Sequence, residues 1–240
     1  LNAQGLKVTL DHLGEECRSR EQAEADCRES IECLKRISSE GADCNVSLKL
    51  TQFGLNLGSG LARDNLVRVL EVARKLDIFV RLDMEGSAYT QQTQNLFYSL
   101  FPTFPNMGVV IQAGLKRSRQ DVAELVKRGA RVRLCKGAYK ESPQIAFASK
   151  EDVNRHYDEL AQMLVKAPIP AFATHDDARI QAAAAAAEKA SLAKDKYEIQ
   201  MLYGLRSNRW KQLHDEGHVV RVYVPYGTHW FPYFYRRIRE

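Results

Sequence analysis

At 240 residues, 45% of them hydrophobic and 27% charged, the chain can bury a sizeable core as one large domain or two small ones, and α/β barrels are common at this length. Its net charge of +5 is spread along the sequence without a lysine-arginine block, which argues against a nucleic-acid partner. The longest uniform apolar run, Ala182 to Ala187, is far short of the roughly 20 residues that cross a bilayer; with no signal peptide before Leu1, a soluble chain is expected, peripheral membrane attachment staying open.

Short β-branched runs alternate with longer helical patterns. Leu6 to Leu10 reads as the first strand, and Ser19 to Ser39, apolar at Cys27, Ile31, Leu34 and Ile37, as the first helix. Val46 to Leu50 is the second strand. The glycine-rich stretch Gly54 to Gly60 fits neither a dinucleotide fingerprint nor a P-loop and reads as a flexible loop before a helix over Ala62 to Leu76. Six more strands are predicted at Ile78 to Asp83, Gly108 to Gln112, Arg131 to Cys135, Ala171 to Thr174, Glu198 to Leu202 and Val219 to Val224. Helical patterns lie between them at Tyr89 to Phe101, Ser118 to Arg128, Asp152 to Val165, Asp176 to Ala190 and Leu205 to Glu216, and the tail makes the last helix. Eight strands, each followed by a helix, is the count of a (β/α)8 barrel. A doubly wound open sheet competes, but its usual Gly-x-Gly-x-x-Gly after the first strand is missing. Cys17, Cys27, Cys33, Cys44 and Cys135 show no C-x-x-C and no paired histidine spacing, so reduced thiols in a cytosolic or matrix-like compartment are expected, with neither disulfides nor metal.

Barrel chemistry sits at the carboxyl ends of the strands. Polar residues late in the strands or just after them are Glu15, Lys49, Asp83 with Glu85, Gln112, Arg133 with Lys136, Thr174 with His175, and Tyr223. Any one of them could be structural: a lone strand-end lysine is more often solvated, and His175 before Asp176 could serve only to start a helix. Converging in one mouth, they suit a carboxylate or a phosphate, because arginines grip carboxylates bidentately and lysine adds a point charge. Gly137 would let backbone approach a phosphate. In the tail, Tyr233, Arg236, Arg237 and Glu240 share one helix face at i, i+3, i+4 and i+7. Alone, that face reads as a solvated basic helix end. The aromatics Tyr226, Trp230 and Phe231 just before it are costly to expose, so the tail is expected to lie on something.

Arg131-Val132-Arg133-Leu134-Cys135-Lys136-Gly137-Ala138-Tyr139 and the tail carry a resemblance. So, in the same order, do Leu13-Gly14-Glu15, Ser47-Leu48-Lys49-Leu50-Thr51, Arg81-Leu82-Asp83-Met84-Glu85, Val110-Ile111-Gln112-Ala113, Phe172-Ala173-Thr174-His175 and Gln200-Met201-Leu202-Tyr203-Gly204. With them the chain resembles the proline dehydrogenase family, including the barrel domain of bifunctional proline utilisation enzymes. Each motif alone is weak; the set is specific and covers the whole barrel. The resemblance implies a single FAD-binding domain over 1–240, a distorted (β/α)8 barrel whose last helix lies over the strand ends. It implies oxidation of L-proline to Δ1-pyrroline-5-carboxylate by hydride transfer to flavin N5, with electrons passed to a membrane quinone. The setting would be the cytoplasmic face of a bacterial inner membrane, or the mitochondrial inner membrane or matrix.

By matching motif, Lys49, Arg236 and Arg237 would hold the proline carboxylate, and Leu202, Tyr223 and Tyr233 would wall in the ring. Asp83 would support Lys49, and Glu15 would pair with Arg236 as a gate. Gln112 and Arg133 would contact the isoalloxazine, while Lys136, Gly137, Ala138, Tyr139, Thr174 and His175 would line the ribityl and phosphate region. Glu240 would steady the arginines or touch the cofactor. Arg133, Lys49 and Asp83 would form the catalytic set, and no general base stands out. Lys140 departs from the family where some members place an aromatic residue against the adenine. The chain also begins at the first strand and stops on Glu240 where family members extend at both ends, as a trimmed form would. Tyr223 points to proline rather than hydroxyproline, whose oxidising branch carries a smaller residue there. Two other readings stay open: a Schiff-base aldolase using Lys49 or Lys136, and a non-catalytic module that captures an anionic metabolite.

Overall fold

The computed structural model describes residues 1–14, 16–228, 230, 231 and 235. Eight parallel strands, β1 (Lys7–His12), β2 (Cys44–Leu48), β3 (Val80–Leu82), β4 (Met107–Gln112), β5 (Arg131–Cys135), β6 (Ala171–Ala173), β7 (Glu198–Leu202) and β8 (Val219–Tyr226), follow one another in a closed barrel. Seven helices separate them: α1 (Arg20–Ser39), α2 (Ser59–Lys75), α3 (Ser87–Leu100), α4 (Ser118–Lys127), α5 (Lys150–Leu164), α6 (Asp177–Lys189) and α7 (Ser207–Asp215). The predicted α/β barrel is therefore the observed architecture. By packing, the chain divides into two units, Val8–Gly108 with the chain from Val224 onward, and Leu1–Lys7 with Val109–Tyr223.

In the first unit, β1 pairs with β2 through Thr9↔Asn45 and Asp11↔Ser47, and β2 with β3 through Ser47↔Arg81. Strand alternation sends Val46, Leu48, Val80 and Leu82 to the helical side, where all four are buried. Helix α1 starts at a Ser19 cap that accepts the Gln22 N–H at 3.3 Å. It buries Ala23, Cys27, Ser30, Leu34 and Ile37, a stripe of helical period. Helix α2 does the same with Ala62, Leu66, Val69, Leu70 and Ala73.

The stretch expected to be a flexible loop is a run of hydrogen-bonded turns instead. Phe53 N–H and Leu55 N–H both donate to Leu50 O, at 3.1 and 2.9 Å, and Gly58 N–H donates to Gly54 O at 2.9 Å. Leu50, Phe53 and Leu55 are buried, and Ser59 and Gly60 already belong to α2. Gly54 has φ +100°, and a Cβ there would come within 2.6 Å of the Leu61 side chain. Glycine at this position thus serves a tight turn, not mobility.

In the second unit, Leu134↔Phe172, Phe172↔Ile199 and Gln200↔Arg221 fix the registers of β5 to β8. The helices α5 and α6 start at side-chain caps, Ser149 accepting the Asp152 N–H and Asp176 the Ala178 N–H, both at 3.0 Å. Helix α6 buries Ile180, Ala183, Ala186 and Ala187 and packs on α5. Strand β8 runs two residues past the predicted Val224, through Pro225. Proline removes a donor but is tolerated near a strand end.

Candidate active site

At the strand ends of the first unit, Lys49 follows β2 and points inward with Asn45 and Ser47 by alternation. Its Nζ lies 2.8 Å from Asp11 Oδ1 and 2.7 Å from Asp11 Oδ2, and both side chains are buried, at 9% and 1% exposure. The carboxylate on Lys49 is thus one that the strand-end reading passed over, because the predicted first strand stopped at Leu10. Asp83 is also buried and ties its backbone to β2, donating its N–H to Leu48 O at 2.9 Å. Glu85 is a different case. Its carboxylate accepts the Thr51 N–H at 3.1 Å and the Thr51 hydroxyl as well, so it anchors the turn after β2.

In the second unit, Arg133 on β5 is buried and donates from Nε to Gln200 Oε1 on β7 at 2.6 Å. Its guanidinium carbon stands 5.2 Å from the ring centroid of Tyr223 on β8, a cation–π arrangement. The chain of contacts continues below it. Gln200 Nε2 donates to Glu198 Oε2 at 2.7 Å, and Arg221 grips Glu198 through Nε at 2.9 Å and a terminal nitrogen at 2.8 Å. Arg133, Gln200, Glu198 and Arg221 are all buried. The Arg133 head is therefore set by fixed neighbours before any ligand arrives.

Beside it, Gln112 ends β4 and is buried, while Gly137 and Ala138 after β5 expose their backbone. Gly137 has φ +104°, and a Cβ there would sit 3.0 Å from Gln112 Oε1, so a larger residue would crowd this cradle. Lys136 Nζ bonds Asp176 Oδ2 at 2.7 Å. That hydrogen bond holds the Asp176 carboxyl below its usual range, so the stability it contributes is present at neutral pH and is lost as the pH falls through the lowered value. Thr174 Oγ1 accepts the Asp176 N–H at 3.1 Å, and His175 Nε2 accepts the Leu202 N–H at 3.1 Å. Tyr139, Leu202 and Tyr223 are half-buried, and Lys140 is exposed. The cradle thus offers open backbone after β5, beside a lysine and a helix start that the Asp176 carboxylate engages; the backbone at Gly137 and Ala138 is the part that fits the phosphates of a flavin.

Glu15, Tyr233, Arg236, Arg237 and Glu240 lie outside the described residues. Of the tail, Trp230, Phe231 and Tyr235 are exposed. Among the described residues no group of three histidine, cysteine, aspartate or glutamate side chains can hold a metal ion, and no helix is long and apolar enough to cross a membrane.

The family model for proline dehydrogenase matches residues 1–240. The chain belongs to the proline dehydrogenase family. Proline dehydrogenase 2 of Bacillus subtilis (strain 168) is 39% identical over 241 residues, covering all of this chain and 80% of that protein. The proline dehydrogenase of Deinococcus radiodurans is 35% identical over 246 residues, covering all of this chain and 79% of that protein. Family membership over the whole chain makes this an enzyme of the proline dehydrogenase class. Among solved structures, proline utilization A from Bdellovibrio bacteriovorus, inactivated by N-propargylglycine, superposes with a TM-score of 0.92 at 28% identity. That match covers all of this chain and 30% of the other, so the chain corresponds to under a third of the larger protein.

Proposed function

We propose that the enzyme oxidises L-proline to Δ1-pyrroline-5-carboxylate with FAD and passes the electrons to a membrane quinone. The observation that carries this reading is Arg133, buried, held by Gln200 and stacked on Tyr223, in a chain whose full length matches the family. Gln112, Arg133, Lys136, Gly137, Ala138, Tyr139, Thr174, His175 and Glu240 would hold the flavin, which supplies the hydride acceptor when bound. Lys49, Arg236 and Arg237 would hold the proline carboxylate. Leu202, Tyr223 and Tyr233 would close around the ring, with Glu15 as a gate on Arg236 and Asp83 supporting the polar floor. Clamping the carboxylate at one side of a small rigid ring fixes where its opposite carbon stands, and that positioning is the chain's main contribution to rate. Oxidation removes a hydride from the carbon beside the ring nitrogen and a proton from the amine, leaving the imine.

The aldolase alternative fares poorly on the same geometry. Lys49 is locked in a buried ion pair with Asp11, and Lys136 is hydrogen-bonded to Asp176 in a partly exposed one, so each nitrogen is engaged by a carboxylate, whereas a Schiff-base lysine must be a free amine.

Purified protein should be yellow, and anaerobic L-proline should bleach its visible absorption and drive reduction of an artificial dye. Flavin-loaded protein that L-proline leaves unbleached would overturn the proposal. Tyr223→Ser should raise the turnover of hydroxyproline relative to proline by about an order of magnitude, the range available from reshaping an apolar wall. An unchanged ratio of kcat/KM values would remove Tyr223 from the ring's surroundings.

A further inference from the structure

The Lys49 ammonium is 9% exposed on its side chain and rests on both oxygens of Asp11, a residue no carboxylate role has been assigned to. An ammonium buried to this degree faces two problems. It loses its charge unless an opposite charge compensates its lost hydration, and its four-carbon stem leaves its direction undetermined. One carboxylate touching it with both oxygens answers both. Asp11 can do so because it is itself placed by strand pairing. It sits opposite Ser47 on β2, two residues before Lys49, and its inward neighbour Thr9 hydrogen-bonds Asn45 across the same pair of strands.

We propose that Asp11 is the positioning residue for Lys49, holding the ammonium charged and aimed for the substrate carboxylate. This rests on the reading of Lys49 given above. The ionisable groups of the adjoining β3 segment are Arg81, Asp83 and, just after it, Glu85, while β1 itself carries Lys7 and His12, and Tyr226 of β8 stands within electrostatic reach of Asp11. Glu85 is committed to Thr51, and Arg81 stacks on Phe79 at 4.8 Å. A simple electrostatic view gives the opposite sign: Asp11 neutralises Lys49, so its removal would strengthen the pull on an anionic substrate. Burial decides between the two, because an uncompensated cation at this depth deprotonates or swings away rather than waiting for substrate.

The test is a double-mutant cycle on the flavin-loaded enzyme with L-proline, using Asp11→Asn, Lys49→Met and the pair together. Asp11→Asn is expected to raise the KM for L-proline about tenfold or more, the effect of losing an oriented charged hydrogen bond, with kcat changed by less than about threefold. In the Lys49→Met background the same substitution should change KM by less than about twofold, since its only route is through Lys49. Asp11→Glu keeps the charge and moves it by one methylene, so it tests aim in a protein that retains the ion pair; KM should rise there too. An unchanged or lower KM in both Asp11 variants overturns the proposal. So does an equal rise of KM with and without Lys49, which would mark a structural role. If Lys49→Met itself leaves KM unchanged, the assignment of Lys49 to the carboxylate falls and this inference with it, whereas a raised KM for Lys49→Met beside unaffected Asp11 variants sinks only the inference.

Discussion

Replacing Glu198 with alanine is expected to lower the melting temperature by on the order of 10 °C, from about 3 to 5 kcal/mol of lost stability spread over a chain of this size. Glu198 is the hub of the buried network in the second unit. It takes two hydrogen bonds from Arg221 and one from Gln200, at 2.7 to 2.9 Å, with Glu198 and Arg221 both about as buried as core leucines. Truncation leaves the Arg221 guanidinium charged, buried and without its counter-ion. The Arg131 guanidinium compounds the cost: burial already pulls it down from its ordinary range, Glu198 opposes that pull and Arg221 adds to it. Without the carboxylate, the buried Arg221 and the half-buried Arg131 are left as neighbouring like charges. Thermal denaturation measures the effect, and a shift of only a degree or two would mean water enters to solvate the site. Exchanging both partners for apolar residues, Glu198→Leu with Arg221→Met, should recover much of the loss, because what costs most is an unpaired charge rather than a missing pair.

How far the sequence could be read follows from what periodicity records. The number and order of the strands were legible because their helix-facing residues, such as Val132, Leu134, Val220 and Val222, are apolar and regularly spaced. The strand-end candidate Lys49 was legible for a related reason, since a polar residue after an apolar run marks where a strand ends, and Arg133 because it alternates with the apolar Val132 and Leu134 within β5. Their partners were not. Asp11 lies inside β1, yet a charge there looks like the onset of a loop, and only the Asp11↔Ser47 register shows it to be an inward core residue. Glu198, Gln200 and Arg221 alternate correctly with apolar neighbours, but their pairing depends on the β7–β8 register between residues far apart in sequence. The turns after β2 failed for a third reason: glycines signal freedom, whereas the burial of Phe53 and Leu55 that orders them has no period.

Substituting Arg133 with methionine should reduce kcat/KM for proline by about a hundred- to a thousandfold, the usual cost of removing one preorganised donor from a site where charge develops, with flavin still bound. Three features make Arg133 preorganised. Its Nε is fixed on Gln200 at 2.6 Å, its guanidinium carbon lies 5.2 Å from the Tyr223 ring centroid, and its burial keeps water from screening the charge. A fixed cation next to a flavin favours the electron-rich reduced form, so the variant should also show a more negative flavin reduction potential. Lysine should not rescue it. An ammonium carries the charge but cannot keep Nε on Gln200 while presenting a flat face to Tyr223. Gln200→Leu offers the complementary measurement: it retains the cation and frees its aim, so it should cost less than Arg133→Met and shift the potential in the same direction. A wild-type potential in Arg133→Met would place Arg133 in the structural network of Glu198 and Arg221 and nowhere else.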